Sequence, residues 1–396
     1  MGQKQGRVRL KGMTWSHPRG YDPLVACSAV YLDRTGIEIA WDKRSLQDFE
    51  SFPVDELARN YDLIVIDHPH VGQVTAENGL LPLDVKGREA ERNDMERSSV
   101  GPSYRSYFWQ GRQWAFPIDA AAQVMISRPD LLSDPPATWD DVMILASEGR
   151  VLLPLRSPHA LMTFFTLAAN IGQPCATEEG RFIEAEAGKR VYDMMRELVD
   201  HIPPACFEMD PIDASEAMAK ADAVHACIPY AFGYVSYGCE GFRPRRLAFS
   251  DIPAAGALGP AGAILGGTGI AVSAYTAHRE EAVDFAHWIA AADIQRSPYA
   301  RAGGQPGHMA AWEDDLVNAA TNDFYRRTRA TLEGAYLRPR HDGYMGFQEA
   351  ASVRLSEGLR ARQDPASVLP DLEILYRMSF AGKKASAFRP GSSAEE

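Results

Sequence analysis

Residues 63–66, Leu-Ile-Val-Ile, constrain the fold more than any other stretch of this chain. Four apolar residues in a row, closed by Asp67-His68-Pro69-His70-Val71-Gly72, fit a short strand buried on both faces. Residues 8–14 and 37–41 read as two further strands upstream. Between these two, Asp22 is expected to cap a helix with Pro23 at its first position. A polar helix is expected after Trp41, and a short one over 53–60. Strands alternating with helices imply a parallel sheet, whose ligands collect beyond the carboxyl ends of the strands. The loop from Trp15 to Tyr21 and the loop from Asp67 to Gly72 therefore share one rim.

The segment 104–119, YRSYFWQGRQWAFPID, separates this half from the remainder of the chain. It reads as the crossing between two lobes, with the working cleft beside it. Phe108, Trp109 and Trp114 offer flat apolar surface, and Asp119 offers a carboxylate at the end of an apolar strand. The competing reading is a hairpin that turns at Gln110-Gly111 and packs its aromatics on the lobe. A length of 396 residues exceeds what one core usually serves, which also favours two domains. Beyond the crossing, strands are expected at 120–127, 151–155, 223–229, 247–252 and 269–273. Helices are expected between them, with Thr138 as one cap. Glycine-rich stretches lie at 256–269 and 301–308, and a disordered polar tail is expected over 381–396.

The net charge of -12 argues against nucleic acid or an anionic membrane as the main partner. No run reaches the roughly 18 apolar residues of a membrane helix. The start, MGQKQGRVRLKGMTW, carries basic residues without the apolar centre of a signal peptide. The expectation is a periplasmic protein if a signal was trimmed from this chain, and a cytoplasmic one otherwise. Cys27, Cys175, Cys206, Cys227 and Cys239 are widely spaced and form no CxxC pair. Buried thiols are expected rather than a zinc site or a disulfide framework, and an oxidising compartment leaves room for one disulfide.

Six phrases succeed one another in order: WQGRQWAFPIDAAAQVMISRPDLL, DPPATWDDVMILA, ASEAMAKADAVHACIPYAFGY, GGTGIAVSAYTAHREEAVDFAHWI, RAGGQPGH and LRPRHDGY. In this order they resemble the extracellular solute-binding proteins of ABC importers, the group that includes maltose-binding protein and other sugar binders. The resemblance covers the chain from Val8 to about Phe380. It implies an α/β, two-lobed periplasmic-binding-protein-like fold with hinge crossings and a ligand cleft between the lobes. It implies one lobe from 1–116 with 252–305 and another from 117–251 with 306–380, with crossings near 117–119 and 252–255. It further implies a monomer without cofactor that passes a small-molecule ligand, unchanged, to importer permease domains. Two features depart from the pattern. Ala219-Lys220-Ala221-Asp222 keeps only the outline of the family's Gly-Lys phrase, and the loops WSHPRGY and DHPHVG are unusual for a neutral-sugar binder. The reading from another class is a cytoplasmic enzyme or sensor on the same fold, although the chain has no GxSxG, HExxH or P-loop.

The expected ligand-binding residues are Trp15, His17, Arg19, Tyr21, Asp67, His68, Trp109, Asp119, Arg156, His159, Tyr230, Phe232, Gly267, Thr268 and Gln305. None is expected to be catalytic. Asp67, His68 and His70 have the side chains of a metal site but no further ligand in view, so no metal is expected. The aromatics suit stacking, and the glycines near Thr268 let backbone N–H groups approach a ligand. Arginine holds a carboxylate or phosphate through a planar fork of donors, and histidine adds donors. Arg19, Arg156, His17, His68 and His159 thus favour a partly apolar ligand with an anionic group. The alternative is that Arg19 and Arg156 pair with acids such as Asp67 or Asp119, and that the ligand is a neutral carbohydrate.

Overall fold

A computed structural model describes residues 8–45 and 54–381. The polar helix expected after Trp41 falls on 46–53, and the expected tail on 382–396, both outside the described residues. Strands β1 (Arg9–Trp15), β2 (Glu38–Arg44) and β3 (Leu63–Asp67) pair in parallel in the order β2-β1-β3. The short β4 (Leu80–Leu81) lies beside them at the far end of the last strand, β10. β5 (Phe108–Trp109) and β6 (Arg112–Gln113) form a hairpin. Its turn residues Gln110 and Gly111 have φ of 47° and 78°, as a two-residue turn between twisted strands requires. The hairpin and the crossing are therefore both present, one after the other.

The crossing strand is β7 (Ala115–Ser127), 13 residues long and buried throughout. Asp119 lies inside this strand rather than at its end. β8 (Cys227–Phe232) and β9 (Ala248–Ser250) pair with the later part of β7. β10 (Leu265–Ser273) runs antiparallel to both β3 and β7. Residues 151–155 form no strand. Val151 makes a single bridge to Cys227, and the Leu155 N–H bonds instead to the Cys206 carbonyl.

Separate apolar cores explain the two lobes: two clusters, one of them around Met13, Ile64 and Ala271, in the first lobe, and one large cluster in the second. Leu10, Leu24, Val65, Phe116, Ile118, Ile270 and Phe285 belong to the first. Ala120, Val124, Phe164, Tyr230, Leu265, Phe347 and Leu372 belong to the second. On β7 the change of core falls between Ile118 and Ala120, and on β10 between Leu265 and Ile270. A third passage lies between Tyr299 of the first core and Trp312 of the second. A crossing was expected near 252–255; Ile252 and Ala263 pack in the second core and Ile270 in the first. The glycines at 266–269 read as a loop, but they sit within β10.

Helix α1 (Pro18–Thr35) also differs from expectation. It begins at Pro18, not at Pro23. The His17 Nδ1 accepts from the Arg19 N–H at 3.1 Å, and Pro18 takes the first helical position, where its missing N–H costs nothing. Pro23 is carried inside the helix. What looked like an exposed Pro/Gly loop is a first helical turn that buries Arg19 and Gly20, with the Trp15 ring lying where a Cβ on Gly20 would be, at 2.3 Å. All five cysteines are free thiols, Cys239 half-buried and the others buried. Among the described residues, no helix is long and apolar enough to cross a membrane.

Candidate functional site

The site lies where β1, β3, β7 and β10 meet between the two lobes. The turn of α1 brings Arg19 there with 4 % of its surface exposed. Its Nε donates to Asp119 Oδ2 at 2.8 Å, its Nη2 donates to Asp119 Oδ1, and its Nη1 donates to the Gly233 carbonyl at 2.9 Å. The guanidinium also lies 4.6 Å from the centre of the Tyr234 ring. Burial opposes the arginine's charge, but the Asp119 carboxylate outweighs it and holds the pKa above its usual value. Arg19 thus ties the first helix to the crossing strand and to the second lobe, with each of its three nitrogens bonded to protein.

Beside it a cavity of about 50 Å³ is bordered by residues of both lobes. Trp15, Phe232, Tyr234, Pro158 and Pro211 give it apolar walls. Asp67, at the end of β3, faces Arg338 from the second lobe at 3.8 Å, too long for a hydrogen bond. Arg338 Nη1 donates to Gln348 Oε1 at 2.9 Å. Its Nε, the Thr268 hydroxyl and the His159 Nδ1 are buried and have no hydrogen-bond partner among the described residues. A buried polar atom without a partner is costly, and such atoms around one cavity are positioned for a guest. Burial pushes Asp67 above the usual carboxylate range, against the pull of Arg338. Burial, with the charges of Arg156 and Arg338, lowers His159 to about 3, so its ring is neutral at pH 7.

Comparison with known proteins decides the family. A family model described as bacterial extracellular solute-binding protein matches residues 33–320, well over half of the chain. The chain belongs to this family. The solute-binding protein also shares its fold with solved structures at low sequence identity. An ABC transporter solute-binding protein from Agrobacterium radiobacter K84, in complex with ribitol, superposes with a TM-score of 0.80 at 18 % identity, over 94 % of this chain and 98 % of that one. Maltose-bound T. maritima MalE3 gives 0.79 at 16 %, over 94 % and 99 %. An ABC transporter solute-binding protein from Thermotoga lettingae TMO, bound with alpha-D-tagatose, gives 0.78 at 14 %, over 94 % and 99 %.

Of the residues singled out in the sequence, the solute-binding protein brings Trp15, Arg19, Asp67, His159, Phe232, Gly267 and Thr268 to the cavity wall. The others lie elsewhere, each for a definable reason. Asp119 stands behind Arg19. His17 caps α1 and meets Tyr234 edge-on at 4.7 Å. Tyr21 lies under the Lys43 ammonium at 4.3 Å, and the Arg340 guanidinium lies 5.4 Å from the Trp109 ring. His68 is fully buried against Tyr107. Tyr230 is core, its hydroxyl donating to the Pro253 carbonyl at 3.0 Å. Arg156 pairs with Asp210 and Asp213. Gln305 spends both ends of its amide on backbone, at Val235 N–H and the Ala120 carbonyl, and so fastens the third passage to β7. Among the described residues, no group of three His, Cys, Asp or Glu side chains is placed to hold a metal. The sequence reading missed Arg338 and Gln348, and left Tyr234 between core packing and ligand contact. Arg338 lies in the phrase LRPRHDGY, whose likeness to a ligand-side turn was its only signal.

Proposed function

We propose that this protein binds a small neutral polyhydroxylated solute, a sugar or polyol, between its lobes and hands it unchanged to an ABC importer. The observation that carries this reading is the Asp67–Arg338 pair. A carboxylate and a guanidinium face one cavity from opposite lobes, 3.8 Å apart, and their charges cancel. A sugar hydroxyl can donate to the one and accept from the other, and the orphaned Thr268 hydroxyl and His159 nitrogen extend the same pattern. The two arginines that favoured an anionic ligand are committed elsewhere, Arg19 to Asp119 and Arg156 to Asp210. An added anion would bring net negative charge to a pair that is already neutral. The solved structures similar to this one that hold ribitol, maltose and tagatose support the same ligand class.

Thermal-shift measurement against matched neutral sugars and sugar acids tests the proposal. Neutral members are expected to raise the melting temperature, by mass action equivalent to about 2.7 kcal/mol at a hundredfold excess over Kd. Asp67→Asn is expected to weaken that response at least tenfold in ligand concentration. A larger shift with the acids than with the neutral sugars defeats the proposal. Recovery of the ligand after incubation, with mass spectrometry showing a new product, defeats the non-catalytic part of it.

A further inference from the structure

Resting on that reading, we propose that Arg19 and Tyr234 set the length of the ligand, so that the closed cleft encloses one sugar ring or a short polyol and refuses a longer chain. Contacts between the lobes border the cavity at Arg19 and Tyr234. Arg19 donates to the Gly233 carbonyl at 2.9 Å and stacks on Tyr234 at 4.6 Å, while His17 meets Tyr234 edge-on at 4.7 Å. These three side chains are each less than a tenth exposed, so a longer ligand on this side has to displace them. A second sugar ring on this side has to break the Arg19–Gly233 contact and unstack Tyr234. Moving Arg19 aside also strands Asp119, a buried carboxylate whose hydrogen-bond donors are the Arg19 nitrogens.

A second contact between the lobes, outside the cavity lining, is made by Arg340. Its Nη1 donates to the carbonyls of Arg105, Ser106 and Phe108 at 2.8, 3.0 and 2.8 Å. The space beside the Arg19 and Tyr234 contacts, about 50 Å³, is walled on that side by Trp15, Phe232 and Tyr234. The extra aromatic surfaces on which a longer carbohydrate could stack, Trp109, Tyr21 and Tyr230, lie outside the cavity.

The test is a length series on the purified full chain, read by thermal shift. The series runs through neutral four- to six-carbon polyols and monosaccharides and then through di- and trisaccharides built from those monosaccharides. At least one single-ring or acyclic member is expected to raise the melting temperature by several degrees, and the di- and trisaccharides to shift it by less than a degree. In Tyr234→Ala the disaccharide response is expected to appear. A wild-type response to a di- or trisaccharide as large as to its monomer overturns the length rule while leaving the neutral-sugar reading intact. No response to any neutral member overturns that reading and the length rule with it. Should Tyr234→Ala fail to fold, the wild-type series alone decides.

Discussion

Arg19 shows what a single residue in this chain does and how far it could be read in advance. Its place on the rim beyond β1 was legible, because Trp15–Tyr21 comes directly after a strand, although the segment is a helix start and not a loop. Its pairing with Asp119 stood only as the alternative to a ligand contact, because that carboxylate is 100 positions away and only the fold joins them. The bidentate pair is buried on both sides, so deleting one member leaves the other charged and unsatisfied. Arg19→Ala is expected to destabilise the protein by about 3–5 kcal/mol in urea unfolding. Arg19→Lys should recover little of this, since a single ammonium cannot hold both carboxylate oxygens and the Gly233 carbonyl at once. An Arg19→Ala variant as stable as wild type contradicts this account. His17 was equally visible and equally misread: its Nδ1 is used as a helix cap, which sequence alone does not separate from a ligand contact.

Among the elements, β3 was the easiest to read and β10 the hardest. Four apolar residues need a buried environment whatever surrounds them, so Leu63–Ile66 announced itself. β10 carries Gly266, Gly267 and Gly269, and glycine weakens a strand by entropy, so the stretch looked like a loop. The same principle allows the opposite inference, that glycine inside a strand marks a close approach. Gly267 has φ of 86°, and a Cβ there would sit 2.3 Å from the Asp119 carbonyl oxygen. Gly267→Ala is therefore expected to cost more than the about 1–2 kcal/mol of left-handed strain alone, because the backbone of β7 must also move. A loss below 1 kcal/mol in thermal or urea unfolding goes against it. The start of α1 was misplaced by one turn because Pro18 and Gly20 both read as breakers. Proline at the first position starts a helix rather than ending one, and that signal was present.

For the whole molecule, the histidines around the cleft set a direction with pH. His17 and His159 are each lowered to about 3, by burial first and then by nearby arginines, and His68 is lowered well below its ordinary value for the same reasons. Hydrated, the same rings protonate near 6.5. Between these values the unfolded chain binds more protons than the folded one, so folding stability is full above about pH 6.5 and declines as the pH falls toward 3. The slope of melting temperature against pH, from about 6.5 to 4.5, is expected to be shallower in His159→Gln than in wild type. An unchanged slope rules out His159 as a contributor. The join between the lobes has a mechanical consequence of its own. β7 and β10 pass from one core to the other while paired side by side, Thr268 opposite Asp119 and Gly269 opposite Pro117. Such a ribbon behaves as a leaf spring, not as a string. It can flex and twist but cannot pay out slack, so its amides should exchange slowly with deuterium even while the lobes swing. For the same reason, one residue inserted beside Thr268 would turn a whole lobe's share of the strand inside out, whereas a linker would absorb it.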